Sequence, residues 1–489
     1  MAARSPSLRR APGPLSGWTG SLPVTLGGLA LVAVCVSALA INTQIGVAMV
    51  LALCFVPLAL LRLPLAVAAW VLLLFFSRTS ALEPVTNRIL LFAAICWIGL
   101  LLGRRSSVRE TFAGNQLVVT LALLFIAWLL VSLAWAPAAS FAERNVKELL
   151  YDGLGFILVF AAVNDRRDLR WLTAAFVAGA ALTVLWGSSK GGLGLSAGAA
   201  GSEVNDLEGR FQGGAGDPNY LAAVLVPALM LAGGLAARRG FGRRALLAIA
   251  ALIIAVGIAA TQSRGGLIAS VVCAGVALVI WKGRRGMILA LIGVALVGVV
   301  AYFISDPGAL ARVQESNHGS GRLDIWKVAW RVAQDHPIFG VGLAQFPQVS
   351  PHYVLVPGGL EYVHLIVEKH IVVHNLYLQL WAEAGIIALA LFISLIFASL
   401  ARGWYAVRRF EALGDPTMVA AARTSMLALI GMLTASFFLS NLEAGQLWIL
   451  LALGPVLAKL AAREAAERHA VPLEPALEYA SSPLPAAAY

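Results

Sequence analysis

Long apolar runs follow one another along almost the whole chain, and they constrain the fold more than any other feature. Each run is roughly 17–25 residues long, the length of an α-helix that crosses a bilayer core. Hydrophobic residues make up 60% of the sequence and charged residues only 12%, whereas soluble domains carry roughly 25% charged residues. The chain is therefore predicted to be an all-α, polytopic integral membrane protein.

Fourteen transmembrane helices are predicted, and merging of the short early pairs would leave twelve or thirteen. The first run does not resemble a cleaved secretory signal peptide, because many similar runs follow it. The predicted ranges are 24–41, 45–61, 64–77, 89–103, 117–135, 149–163, 170–187, 219–237, 244–261, 266–281, 287–304, 375–400, 420–440 and 445–460.

Basic residues orient this bundle in the bilayer. Pairs such as Arg104-Arg105, Arg166-Arg167 and Arg408-Arg409 fall in alternate gaps between the predicted helices. The positive-inside rule assigns their side of the membrane, together with both termini, to the cytoplasm. The net charge of +11 does not indicate a nucleic-acid partner, because the basic residues are spread over short gaps without a basic patch or reader motif.

This orientation leaves one long hydrophilic segment, 305–373, on the outer side of the membrane. Residues 322–331 carry apolar side chains at helical spacing, which predicts an amphipathic helix lying on the bundle or on the lipid headgroups. Pro337 and Gly340 are expected to end that helix. The four cysteines all fall in apolar runs without ligand spacing, so neither disulfides nor a cysteine metal site are expected.

Two arginines on the outer side are candidate ligands for an anion. Arg264 is followed by Gly265 and Gly266 at the start of a predicted helix, where a guanidinium and free backbone N–H groups favour a phosphate or diphosphate. The alternative is an interfacial arginine that reaches lipid headgroups. Arg210 lies in a glycine-rich loop and is either a second guanidinium for the same anion or a solvated loop residue. Asp217 is interpreted as a helix cap rather than a catalyst.

His374 lies at the outer end of the predicted helix 375–400. A neutral imidazole there is a candidate acceptor for the proton of a sugar hydroxyl. Asn375 and Tyr377 are candidates to orient the imidazole or to contact sugars. Arg322, at the start of the amphipathic helix, is a third candidate contact for the anion.

Several other histidines in the outer segment suggest a zinc site as an alternative. His370 and His374 have i, i+4 spacing, but no HExxH pattern accompanies them, and Val372-Val373 favour an extended backbone. No metal is therefore predicted. Glu383 lies deeper in the helix that follows His374 and is expected to have an arginine partner, because a lone carboxylate inside a membrane is costly.

Several motifs, taken in order, resemble the O-antigen ligase and O-antigen polymerase superfamily of bacterial envelope enzymes. They are Asp217-Pro218-Asn219, Ser263-Arg264-Gly265, Arg322…Trp326 leading to Pro337…Gly340-Val341-Gly342, and His374-Asn375 with Gly385. Their order, with a long outer loop between the arginine turn and the histidine helix, makes the set specific although each motif alone is weak.

The resemblance implies the organisation of the chain. The expected parts are a cytoplasmic tail (1–23), N-terminal transmembrane helices (24–204), an O-antigen ligase-like core including the periplasmic loop 305–373 (205–400), C-terminal transmembrane helices (401–461) and a disordered cytoplasmic tail (462–489). The N-terminal helices match the superfamily only in general character.

The resemblance also implies an activity and a place. The implied enzyme is a metal-independent glycosyltransferase of the GT-C type, without a cofactor, in the bacterial inner membrane and with its active site on the periplasmic face. Its donor would be a glycan on undecaprenyl diphosphate, and lipid A–core would be the acceptor in the ligase branch. Arg264 and Arg210 would hold the diphosphate, and His374 would activate the acceptor hydroxyl.

Three alternatives stay open at this point. An O-antigen or exopolysaccharide polymerase and a protein O-oligosaccharyltransferase of the same superfamily need the same diphosphate site and base, with a growing glycan or a protein as acceptor. A polysaccharide transporter is the third alternative. Transporters usually show broken helices in paired halves, and the sequence shows no such pairing.

Overall fold

The computed structural model describes residues 55–76, 83–103, 107–191, 210–236, 240–281, 321–355, 359–360, 363–368 and 371–470, with the single positions 37, 49 and 53. Every regular element within these ranges is helical, which confirms the all-α expectation. Eight of the described helices are long and apolar enough to cross a membrane. The chain is therefore a multi-pass membrane protein.

Eleven of the predicted membrane helices lie in the described ranges, and each coincides with a helix. Eight of the eleven are long and apolar enough to cross a membrane, whereas those predicted at 64–77 and 266–281 are shorter apolar helices and the one at 149–163 belongs to neither group. The helices predicted at 24–41 and 287–304 lie outside them apart from position 37, and the one predicted at 45–61 is described mainly from residue 55 onward. The main helices are α1 Leu63–Leu73, α2 Glu83–Leu102, α3 Gln116–Val131, α4 Glu143–Ala162, α5 Arg166–Gly191, α6 Pro218–Ala236, α7 Phe241–Ala260, α8 Arg264–Ile280, α9 Arg322–Asp335, α10 Phe346–Val354, α11 Leu376–Ala412, α12 Pro416–Ala435 and α13 Gly445–Ala470.

Burial separates the central helices from those at the edge of the bundle. The apolar window of α13 is 94% buried, whereas that of α7 is 22% buried, so α13 lies at the centre and α7 exposes most of its surface. α11 packs against α3, α12 and α13, and α6 packs against α7, α8 and α12. Cys96 and Cys273 are buried and free; Cys35 and Cys54 lie outside the described residues.

α9 confirms the amphipathic helix expected at 322–331. Its buried face includes Ile325, Val328 and Val332, which join α10 and Val373 in a hydrophobic cluster separate from the main core. Trp330 on the other face is 48% exposed. This small outer cluster places the start of α9 beside the chain that enters α11.

α11 is broken near its outer end, at Gly385. This glycine has φ +75°, and a Cβ atom there would lie 1.9 Å from the carbonyl oxygen of Ile338. The break frees carbonyl groups of the helix, and the amide of Gly342 donates to the carbonyl of Glu383 at 2.7 Å. The segment between α9 and α10 therefore docks into the break of α11.

α11 extends over 37 residues and carries a tryptophan toward each end. Trp381 is half-buried, and its Nε1 donates to the carbonyl of Pro337 at 3.2 Å. Trp404 is 49% exposed. The helix thus connects the outer segment with the inner, arginine-rich end of the bundle.

The expectation of an arginine partner for Glu383 is wrong. Its carboxylate accepts hydrogen bonds from the amides of Ala344 at 3.0 Å and Phe346 at 3.3 Å, and from Nε2 of Gln379 at 3.2 Å. Three N–H donors satisfy the buried oxygens where a guanidinium was expected. Glu383 therefore fastens the segment before α10 to α11.

The inner end of α13 also differs from the prediction. The tail was predicted to be disordered from residue 462, but α13 continues to Ala470. Arg166 forms ion pairs with Glu464 and, at 2.6 Å, with Asp415. These contacts, together with the alanine-rich composition, favour the additional helical turns. Residues 471–489 lie outside the described ranges.

Candidate functional site

The start of α8 presents Arg264 at the outer end of the bundle. Ser263 caps this helix, with its Oγ accepting from the amide of Gly266 at 3.3 Å. A Cβ atom at Gly266 would lie 2.6 Å from the Cβ of Ala222, so the glycine lets α8 begin against α6. Arg264 itself is exposed. The amide of Gly266, expected to be free for an anion, is therefore already bonded, and the Arg264 guanidinium is left as the main candidate anion-binding group of this turn.

Arg210 lies beside the same turn. Its Nε and Nη2 donate to the carbonyl of Thr261 at 3.0 and 2.9 Å, and Nη2 also donates to Oδ1 of Asn219 at 3.1 Å. Asn219 Oδ1 further accepts from Ser263 Oγ at 3.0 Å. These bonds place the Arg210 guanidinium next to the residues that precede Arg264.

Arg322 and His374 complete a charged group at this end. Burial, the largest influence, lowers the pKa of Arg322, whereas Asp217 raises it and Arg264 lowers it. Burial lowers the pKa of His374 to about 4, with Arg322 acting in the same direction and Asp217 opposing both. Charges shift one another's pKa in this way when they lie close together. Residues from four separate stretches of the chain therefore meet here.

The backbone of His374 is held in an uncommon conformation. Its φ of +53° lies in the left-handed region, which few residues other than glycine adopt. Its amide donates to Ser440 Oγ at 3.0 Å, and the preceding carbonyl, of Val373, accepts from Nε1 of Trp326 at 3.1 Å. The ring Nδ1 is buried and has no hydrogen-bond partner among the described residues. Such strain, maintained by tertiary contacts, is typical of functional positions.

Asn375 caps α11. Its Oδ1 accepts from the amides of Tyr377 and Leu378, both at 3.1 Å, and the residue is only 5% exposed. The helix thus uses the side-chain oxygen, and the role predicted for Asn375, orienting the imidazole or contacting sugars, stays a prediction. The cap fixes the point at which His374 leaves the outer segment.

Tyr377 faces an apolar groove rather than the charged group. Its hydroxyl donates to the carbonyl of Leu433 at 2.9 Å, and the predicted sugar contact stays a prediction. The groove has a volume of about 620 Å³ and is lined by side chains of α8, α11 and α12, with Phe437 and Phe438. Phe438 also contacts the start of α8, since a Cβ atom at Gly265 would lie 3.1 Å from it. The groove thus begins beside Arg264.

Two residues of the site were missed or underestimated from sequence. Asp217 is a helix cap as predicted, since its Oδ1 accepts from the amide of Tyr220 at 2.7 Å, but it also acts on Arg322 and His374. Its place directly before a helix at the outer boundary was the available signal. Ser440, which holds the amide of His374, had no signal, because its partner is far away in the sequence.

The histidines that suggested zinc are only partly described. The described residues contain no group of three or more His, Cys, Asp or Glu side chains arranged to hold a metal ion. Side chains of His318, His364 and His370 lie outside the described residues. His336 follows the last residue of α9, and His352 lies in α10.

One segment of the chain matches a known protein family. It contains Arg264, Arg322 and His374, which lie at or just before the starts of three helices. Residues 221–393 match the O-antigen ligase family model. The superfamily expected from the motifs is confirmed over this segment, which covers less than half of the chain and leaves Arg210 and Asp217 outside. No curated protein matches the chain. The O-antigen ligase match indicates a membrane glycan ligase or polymerase type of function.

Proposed function

We propose that this protein transfers a glycan from undecaprenyl diphosphate to a hydroxyl group of lipid A–core at the outer face of the bacterial inner membrane. The observation that carries the proposal is the meeting of Arg210, Arg264 and Arg322 with His374 at one end of the bundle. Several guanidinium groups suit a diphosphate, and a neutral imidazole is the form that can accept a proton.

The arginines would act on the leaving group. As the bond between the anomeric carbon and the diphosphate oxygen breaks, its electron pair passes to the diphosphate. Arg264, exposed at the start of α8, and Arg210, fixed to Thr261, are positioned to stabilise this developing charge. Preorganised donors of this kind typically contribute roughly 10²–10³ in rate each.

His374 would act on the acceptor. Its pKa of about 4 keeps the imidazole neutral at physiological pH, ready to take the hydroxyl proton as the oxygen forms its bond to the anomeric carbon. A positioned general base contributes about 10²–10⁴ in rate. Attack opposite the departing diphosphate inverts the anomeric configuration.

The apolar groove supports a lipid-linked donor. It begins near Arg264 and is lined by Ile268, Tyr377, Leu433 and Phe437 among others. A polyprenyl chain lying there would leave its diphosphate beside the guanidinium groups. A soluble nucleotide-sugar donor would have no use for such a surface.

The central test is glycan transfer by purified protein in detergent or nanodiscs. Arg264→Ala is expected to lower transfer by roughly 10²–10³, and His374→Ala to lower it by about 10²–10⁴ while binding of the lipid-linked glycan is largely kept. Arg243→Ala, at the exposed inner end of α7, is the matched control and should transfer like the wild type. Wild-type transfer by Arg264→Ala would refute the proposed diphosphate site.

The same assay identifies the acceptor. Product on lipid A–core supports the ligase proposal. Product only on a growing glycan would identify a polymerase, and product only on a protein would identify an O-oligosaccharyltransferase. In proteoliposomes, movement of intact lipid-linked glycan across the membrane without transfer would identify a transporter.

Transfer is expected to continue in the presence of EDTA, since arginines rather than a metal ion are proposed to stabilise the diphosphate. The measurement compares initial rates before and after chelation. Inhibition that a single divalent metal reverses would contradict the metal-independent mechanism.

A further inference from the structure

A second cavity lies at the opposite end of the bundle from His374. Its volume is about 420 Å³. It is enclosed by the first turns of α5 and α12, the last turns of α6 and the last turn of α13. By the predicted orientation this is the cytoplasmic end of the membrane-spanning helices. Nothing in the proposed transfer reaction uses it.

Basic side chains dominate the charge of this cavity. Arg166, Arg170 and Arg468 line it. Asp415 and Glu464 pair with Arg166. Arg170 and Arg468, by contrast, have no acidic partner among the described residues, although Arg468 Nη1 donates to the carbonyl of Leu413 at 2.8 Å. Three guanidinium groups and two carboxylates therefore leave this end of the cavity with a net charge of +1.

The rest of the lining is mainly apolar and lies farther along the helices. Leu231 belongs to the last turns of α6, and Met418 and Ala421 belong to the first turns of α12. The hydroxyl of Thr424 donates to carbonyls of its own helix. The cavity thus has charged side chains at the helix ends and mainly apolar side chains deeper between the helices.

The start of α12 is not itself the anion site. Asp415 Oδ1 accepts from the amides of Thr417 and Met418, at 2.9 and 3.0 Å. These backbone donors are therefore occupied. An anion in the cavity would be bound by the guanidinium groups, which makes their removal an informative change.

We propose that this cavity binds the headgroup of an anionic phospholipid, with an acyl chain along Leu231 and Ala421. Basic pockets between membrane helices on the cytoplasmic side suit such headgroups, and the apolar interior distinguishes a lipid from free phosphate. The site rests on the predicted orientation and not on glycan transfer, so it stands or fails separately from the proposed function.

The test measures thermal unfolding of the purified full chain with added phosphatidylglycerol, phosphatidylcholine or inorganic phosphate. Phosphatidylglycerol is expected to raise the apparent Tm and the others are not. The double variant Arg170→Gln/Arg468→Gln should lose most of this rise, with apparent affinity falling about fivefold for each arginine. The control Arg167→Gln/Arg408→Gln removes the same charge from exposed inner positions outside the cavity and should keep the rise.

Three outcomes would overturn the proposal: an equal rise with phosphate, an equal rise with phosphatidylcholine, or an unchanged rise in the Arg170→Gln/Arg468→Gln variant. A second measurement needs no variant. Phosphatidylglycerol with a photoreactive acyl chain should label the wild-type chain in peptides from the start of α12 or the end of α6. Labelling confined to other helices would contradict the site even if the double variant did not fold.

Discussion

Arg322 and Asp217 act in opposite directions on His374, and this opposition connects the charges of the site to its chemistry. The cation lowers the pKa of the imidazole and the carboxylate raises it. A diphosphate between the arginines would add negative charge and help the imidazole to accept a proton. Asp217 would then stabilise the imidazolium that forms.

The pH dependence of kcat/KM for transfer follows from these charges. The neutral imidazole is the active form, so the rate falls as pH drops through the His374 pKa of about 4. Arg322→Gln removes a cation that lowers this pKa, so the acidic limb should move to higher pH. Asp217→Asn should move it to lower pH. Lys327→Gln, farther along α9 and paired with Asp324, should leave it unchanged.

If the acidic limb moved in the same direction in Arg322→Gln and Asp217→Asn, the arrangement of charges described above would be contradicted. The absence of any acidic limb would remove His374 from the reaction. Activity at saturating donor provides the control for binding, because Arg322 is also a proposed contact of the diphosphate.

At the residue scale, the sequence singled out Arg264 and His374 because few polar residues stand at the end of an apolar run, and the structure brings both to the same end of the bundle. Their chemical roles, and those of Asn375 and Tyr377, stay predictions. Sequence does not reveal that a cap and a distant carbonyl already use polar atoms of Asn375 and Tyr377. Ser440 depends on a contact between α11 and the α12–α13 connection, which no local pattern encodes.

At the scale of elements, the break in α11 determines how the outer segment is attached. Gly385→Ala should destabilise the protein by more than about 1–2 kcal/mol, the cost of a left-handed residue with a side chain, because the new methyl group also meets the Ile338 carbonyl. Transfer should fall as well, since α9 and Arg322 belong to the segment that docks there. The experiment measures both the apparent Tm in detergent and the transfer rate of this variant.

Gly275→Ala is the matched control for this change. Gly275 lies in α8 with no atom within 4 Å of an added Cβ. Alanine is the better helix former, so the variant should be as stable as the wild type or slightly more so. Equal behaviour of the two variants would show that the break at Gly385 carries no structural role.

Helices were predictable because length and hydropathy are local properties: each of the eleven testable predictions coincides with a helix, and eight of these are long and apolar enough to cross a membrane. The break at Gly385 was not predicted. A single glycine in an apolar run has many uses, and only the approach of Ile338 shows which one applies. The extension of α13 depends on partners in α5 and before α12, which are distant in sequence.

The two ends of the whole molecule carry different sets of charged residues, as the arginine pairs in the sequence predict. The ion pairs of Arg166 with Asp415 and Glu464 join three helix ends at the inner side, whereas Arg210, Arg264 and His374 gather at the other. Sequence established this separation, because alternation of charge along the chain reflects alternation across the membrane. It did not establish which outer residues meet, since helix packing decides that.

Cysteine labelling tests this orientation in cells. In a chain without its native cysteines, Glu368→Cys, exposed in the outer segment, should react with a membrane-impermeant maleimide in intact cells. Arg408→Cys, exposed near the inner end of α11, should react only after permeabilisation. The reverse pattern would place the candidate site in the cytoplasm and remove the proposed periplasmic reaction.

The two tryptophans of α11 indicate how deep this helix lies in the bilayer. From Gly385 to Trp404 the helix is regular and rises roughly 28 Å, close to the roughly 30 Å of a hydrocarbon core, and indole rings prefer the boundaries of that core. His374 precedes the cap of α11, on the far side of Trp381 from Trp404. On the predicted orientation we therefore expect an acceptor sugar to react close to the membrane surface, and a bilayer of altered thickness to change how easily it arrives.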